Sequence, residues 1–118
     1  MDISKTIAAM KQDPGFAENV GMVLIHNGTV RGWSRGDHSP VSQIEVFADE
    51  DKVEQIRGEI EQMEGVFKVV VEAHSGVMQP GDDLLFLIVA GDIREHVKPA
   101  LALLLDRIKA EAISKKEF

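Results

Sequence analysis

The run Asp83-Leu84-Leu85-Phe86-Leu87-Ile88-Val89-Ala90 constrains this chain more than any other segment. Its unbroken apolar stretch follows the turn signals Pro80-Gly81, and it predicts a strand. A strand this apolar leaves neither face nor edge bare, so the rest of the chain, or a second copy of it, must cover it. With 118 residues there is room for one core, and a single domain spanning residues 1–118 is expected.

The remaining pattern supplies that cover. Ile3, Ile7 and Met10 recur at helical spacing and Asp13-Pro14-Gly15 stops them, predicting a short amphipathic helix. Gly21 to His26 is a β-favouring run that Asn27-Gly28 is expected to close, with Thr29 to Arg31 able to continue the extended chain. Residues 32–40 (GWSRGDHSP) lack periodicity and read as a mobile polar loop. Val41 to Ala48 is expected as a strand with both faces partly covered. Asp49, Glu50 and Asp51 then precede a helix carrying Val53, Ile56, Ile60 and Met63 and ending near Gly65. Val66 to Glu72 pairs with 83–90 through a loop at 74–82. Ile93, Val97, Leu101, Leu104, Ile108 and Ala112 trace a last helix in which Pro99 marks a kink or a late start. The tail 114–118 is basic and then stops. The expected architecture is α+β, one mixed or antiparallel sheet packed with helices.

Composition excludes several functions. A net charge of −7 repels phosphate backbones unless the basic residues cluster, so nucleic acid is not an expected partner. With no cysteine, thiolate catalysis, Cys-ligated metal and a sulfur carried on this chain's own thiol all drop out. The apolar runs fall far short of the roughly 20 residues that span a bilayer. The amino terminus does not read as a secretory signal, and a cytoplasmic location without membrane contact is expected. Loops of the GxxxxGK[ST] and GxGxxG types and the HExxH pair are missing. His26, His38, His74 and His96 fall in separate elements without metal-ligand spacing, so neither a metal site nor a cofactor is expected.

Positive charge is nonetheless concentrated. Arg94, Lys98, Arg107, Lys109, Lys115 and Lys116 lie between the start of the last helix and the tail, and Arg31 and Arg35 flank the Gly-containing loop. Lys109 follows Ile108 on the apolar face, which runs its amine along the edge of the core toward a cleft. A lysine among other cations can serve as a nucleophile or proton shuttle, and neighbouring arginines bind phosphate bidentately.

Several motifs occur together in order. Gly21-Met22-Val23-Leu24-Ile25-His26-Asn27-Gly28-Thr29-Val30-Arg31, a polar loop and Ile44-Glu45-Val46-Phe47 form the first. His74-Ser75-Gly76-Val77-Met78-Gln79-Pro80-Gly81-Asp82-Asp83 is the second, and Asp106-Arg107-Ile108-Lys109 leading to Ile113-Ser114-Lys115-Lys116-Glu117 completes them. Over residues 18–118 this series resembles the large, catalytic subunit of molybdopterin synthase. The resemblance implies a hammerhead α+β fold and a homodimer. It also implies a small ubiquitin-like partner whose carboxy-terminal Gly-Gly tail carries a thiocarboxylate, and sulfur transfer from that tail to cyclic pyranopterin monophosphate. It gives Lys109 the place of the catalytic lysine and Lys116, or Lys115 after a one-residue slip, that of the second lysine. Arg31, Arg94, His74 and Lys115 fall to substrate binding.

The chain also departs from that pattern. Ile93 stands where a histidine precedes the arginine of the His-Arg pair, the proline and tryptophan before the lysine pair are missing, and His26 occupies a place usually aromatic. A hydrocarbon can neither move a proton nor bind an anion. The alternative is therefore a relative that keeps the binding groove and has lost turnover, and behind it an unrelated small-molecule-binding α+β domain.

Overall fold

The structure is a computed structural model describing residues 1–118. Its elements are α1 (Ile3–Met10), α2 (Phe16–Asn19), β1 (Met22–Thr29), β2 (Ile44–Ala48), α3 (Glu50–Glu61), β3 (Val66–Ala73), β4 (Gly76–Met78), β5 (Asp83–Gly91) and α4 (Arg94–Arg107). A π-helical turn, Ile108–Ala112, then leads into β6 (Ile113–Glu117). The fold is α+β with antiparallel pairing throughout. It holds two three-stranded sheets rather than the single sheet expected, in the orders β1-β5-β3 and β4-β2-β6.

The apolar run is the centre of the first sheet. Leu85, Leu87 and Val89 meet Ile56 and Ile60 of α3 and Val97, Ala100 and Leu104 of α4, while Ile88 and Ala90 on the opposite face meet Met10 of α1. Every residue of β5 after Asp83 is buried, because each face has its own layer. Burying one such leucine contributes about 1.5–3 kcal/mol. The chain therefore covers its most apolar strands itself, so they do not require a second copy. The helices begin at side-chain caps: the Asp2 carboxylate accepts from the Lys5 amide and that of Asp49 from the Lys52 amide. After α3, Gly65 turns the chain at φ 79°, where a β-carbon would strike the His96 ring.

The second sheet is where the sequence misled. Asn27-Gly28 does not turn the chain. Both residues stay in β1, opposite Phe86 and Leu85, and neither takes the positive φ of a tight hairpin turn. The 74–82 segment contains β4, and the basic tail pairs along β2 as β6, with Ile44, Val46 and Ala48 opposite Glu117, Lys115 and Ile113. Polar residues such as Ser114 to Glu117 carry little strand preference, and pairing with β2 makes the strand. The inner face of β2 is buried and its outer face is not: Phe47 is 64% exposed and Val77 of β4 61%. Pro99 sits inside α4 and outside the core, so it marks no late start. No helix is long and apolar enough to cross a membrane.

Candidate functional site

The end of β1, the loop after it, the π-helical turn and β6 enclose a cleft of about 380 Å³. Four cations line it, Arg31, Arg35, Lys109 and Lys115, against one carboxylate, Glu117. Leu84, Leu85 and Ile113 supply apolar wall, and a contiguous recess adds Gly28, Thr29, Val30 and Ile44. In a chain of net charge −7 this is a local reversal of sign, suited to an anion with an apolar body.

Three of the four cations, Arg31, Lys109 and Lys115, are placed by local devices. Arg31 lies just past β1, its Nε donating to the Trp33 carbonyl at 3.4 Å and its guanidinium 5.1 Å from the centre of the Trp33 ring. The loop expected to be mobile is laced by backbone hydrogen bonds, Ser34 N–H to the Ser39 carbonyl and Val41 N–H to that of Gly32. Trp33 and His38 stack with ring centres 4.5 Å apart and planes 6° from parallel. Ser34 Oγ donates to Glu117 Oε1 at 3.2 Å, joining this loop to β6 across the cleft. At the opposite wall the π-helical turn buries Ile108 and Ala112 and leaves Lys109 between them to face the cleft.

The two-residue period of β6 puts the adjacent lysines on opposite faces. Ile113, Lys115 and Glu117 face the cleft, and Ser114 and Lys116 the other side of the sheet. Lys116 lies opposite Glu45, with Nζ 5.3 Å from the centre of the Phe118 ring. Partial burial and then the charge of Arg31 lower the proton affinity of the Lys115 amine below that of an ordinary lysine. Lys109 and Arg35 add to the effect, and Glu117 opposes it.

The structure thus brings together Arg31, Lys109 and Lys115 of the residues singled out from sequence. It does not bring Lys116, Arg94 or His74 to the cleft. The Arg94 side chain is 77% exposed at the start of α4 and pairs with Glu95. His74 has both ring nitrogens engaged by its own neighbours, Nδ1 with the Asp83 carbonyl at 2.8 Å and Nε2 with Glu72 at 2.9 Å, an arrangement that holds a strand end together. Arg107, counted in the basic cluster, is held by Glu59 and Glu111 and ties α3 to the π-helical turn. Sequence reading missed Ser34 and Glu117, and treated Arg35 only as a flank of the loop. The alternation Ile113, Lys115, Glu117 was the available signal for β6. No three His, Asp or Glu side chains are grouped to hold a metal ion.

A family model described as MoaE protein matches residues 1–111. A probable molybdopterin synthase of Haloferax volcanii is 30% identical over 112 residues, covering 91% of this chain and 42% of that protein. The chain therefore spans less than half the length of this curated relative. Among solved structures, a molybdopterin synthase from Staphylococcus aureus superimposes with a TM-score of 0.72 at 28% identity, over 84% of this chain and 74% of that one. A MoaE protein from Burkholderia ambifaria gives 0.77 at 22% identity, over 99% and 76%. A complex of subunits 1 and 2 of molybdopterin-converting factor from Helicobacter pylori gives 0.70 at 16% identity, over 99% and 78%. The last two speak for the fold alone.

Proposed function

The chain belongs to the MoaE protein family, and from that premise we propose that it acts in molybdenum cofactor biosynthesis as the large subunit of a molybdopterin synthase. In this reading it is a cytoplasmic sulfurtransferase. Sulfur leaves the thiocarboxylated Gly-Gly end of a small ubiquitin-like partner and ends on cyclic pyranopterin monophosphate. The observation that carries the reading is the convergence of Arg31, Arg35, Lys109 and Lys115 on one cleft. The planar arginines match a phosphate or tail carboxylate bidentately. Lys115, whose amine gives up its proton more readily than an ordinary lysine, serves as both donor and acceptor. Lys109, opposite Arg31, meets the reacting carbon, and its amine stabilises negative charge that develops there. The apolar walls of Leu84, Leu85 and Ile113 exclude water from the transfer.

Two copies of the chain form the working unit in this reading. Phe47 and Val77, exposed as diagonal neighbours on the outer face of the sheet, offer the apolar surface for the contact. Reconstitution tests the function: purified chain, thiocarboxylated small partner and cyclic pyranopterin monophosphate yield a dithiolene product, and no product beside a working control refutes it.

A second reading is favoured by Ile93. The residue caps α4 with no side-chain hydrogen bond and is 49% exposed, so the imidazole of the family's His-Arg pair has no counterpart there. A relative that binds the partner without turnover would retain partner affinity in Lys109→Ala and make no dithiolene in either form.

A further inference from the structure

His26 is a polar side chain that the cleft described so far does not use. On β1 the residues Met22 and Leu24 pack into the core under α3 and α4, and the two-residue period puts His26 and Gly28 on that same face. The ring leans along the strand: its Nε2 lies 3.0 Å from where a β-carbon on Gly28 would be. Gly28 itself lines the recess of the cleft together with Arg31, Lys109 and Lys115. A side chain at position 28 would close the space between Nε2 and that recess, and glycine leaves it open. Nε2 is buried and has no hydrogen-bond partner within the chain. A buried ring nitrogen without a partner costs about 1–3 kcal/mol, a cost that natural sites offset with a function.

Lys109 lines that recess and is the cation whose charge reaches the ring. It forms none of the chain's ion pairs, since Glu111 beside it is taken by Arg107 and Lys52. Around His26, β5 presents Leu85 and Leu87 and β1 presents Leu24, all uncharged, and Lys109 is the charged group acting on the ring. Burial first and the Lys109 charge second depress the proton affinity of the imidazole below that of an ordinary histidine, which leaves it neutral at pH 7 with a lone pair to offer.

We propose that His26 is a positioning residue for Lys109: a turn of the flexible Lys109 side chain lets the neutral Nε2, unpartnered as it stands, accept a hydrogen bond from the ammonium and fix that amine beside the recess. The inference rests on the function proposed above for its catalytic consequence, while the contact itself stands apart from that function. The imidazole thus lies behind Gly28, next to the cleft rather than in it.

The test has two arms. In ¹⁵N spectra of the full chain, His26 should be neutral at pH 7 with the proton on Nδ1 and the lone pair on Nε2. Lys109→Met should raise its titration midpoint, whereas Lys98→Met should not. An unmoved midpoint, or a proton on Nε2, overturns the proposal whether or not the chain proves to be a synthase. In the reconstituted reaction, His26→Phe should lower kcat about tenfold with KM for the pterin unchanged. His26→Gln, which keeps an acceptor, should recover most of that loss. Equal loss in both variants, with both folded by circular dichroism, overturns it. A wild type without turnover refutes the synthase reading alone and leaves the spectroscopic arm to decide.

Discussion

The guanidinium of Arg31 lies 5.1 Å from the ring centre of Trp33, two residues along the same loop, and donates to that residue's carbonyl. The aromatic ring is in turn backed by His38, so one short loop aims a cation into the cleft before any ligand arrives. An exposed cation–π contact is worth about 0.5–1 kcal/mol. Trp33→Ala should therefore weaken binding of the pterin phosphate about two- to fivefold by calorimetry, and Trp33→Phe should restore part of it. Unchanged affinity in Trp33→Ala would show that Arg31 is held by other means.

The faces of β6 make a sharper comparison. Lys115 points into the cleft and Lys116 away from it, although the two are neighbours in sequence. Losing a charge-assisted contact to an anionic substrate costs about 1.5–3 kcal/mol. Lys115→Ala should accordingly cut kcat/KM roughly ten- to a hundredfold. Lys116→Ala should stay within about twofold, as for other exposed charges. Steady-state kinetics decide, and the reverse order would move the strand register by one residue.

His74 yields a pH dependence of stability. Its hydrogen bond to Glu72, then that to the Asp83 carbonyl, raise its proton affinity above the ordinary value of 6.5. The stabilisation is therefore complete below that value and fades as pH rises through the higher, folded one. Glu72 is displaced the other way, by the Met1 amine first and His74 second, so its share is present above the ordinary carboxylate value of 4.5 and is lost in acid. Urea midpoints of the wild type and His74→Gln should differ most between about pH 5 and 6.5 and converge by about pH 9. A difference that grows with alkaline pH would contradict the pairing.

The outer sheet makes a statement about assembly. Phe47 and Val77 are more exposed than any other large apolar side chains of the chain. Light scattering at micromolar concentration should give a dimer, and Phe47→Glu should raise the dimer dissociation constant at least about tenfold, since it places a charge in a desolvated contact. A monomer in the wild type removes the proposed working unit.

Much of this was legible from residues alone. The run at 84–90 and the helical spacing of Val53, Ile56 and Ile60 each act within a few residues, and each appears where expected. What stayed hidden depends on partners distant in sequence. Asn27-Gly28 remains extended because Phe86 and Leu85 lie opposite, and Ser114 to Glu117 becomes a strand because β2 has a free edge. The cleft was half legible. Lys109 and Arg31 were found from charge and resemblance, but the choice of Lys115 over Lys116 needed the β6 register, and Glu117 needed Ser34 to meet it across the cleft. His74 carried an apparent signal that its two local partners absorb.

The most direct measurement is dithiolene formation by wild type and Lys109→Ala, each with the thiocarboxylated partner and cyclic pyranopterin monophosphate, beside partner affinity for both. The cleft predicts product from the wild type, a loss of about a hundredfold or more in the variant, and partner binding unchanged within about twofold. Equal turnover by the two proteins would contradict it.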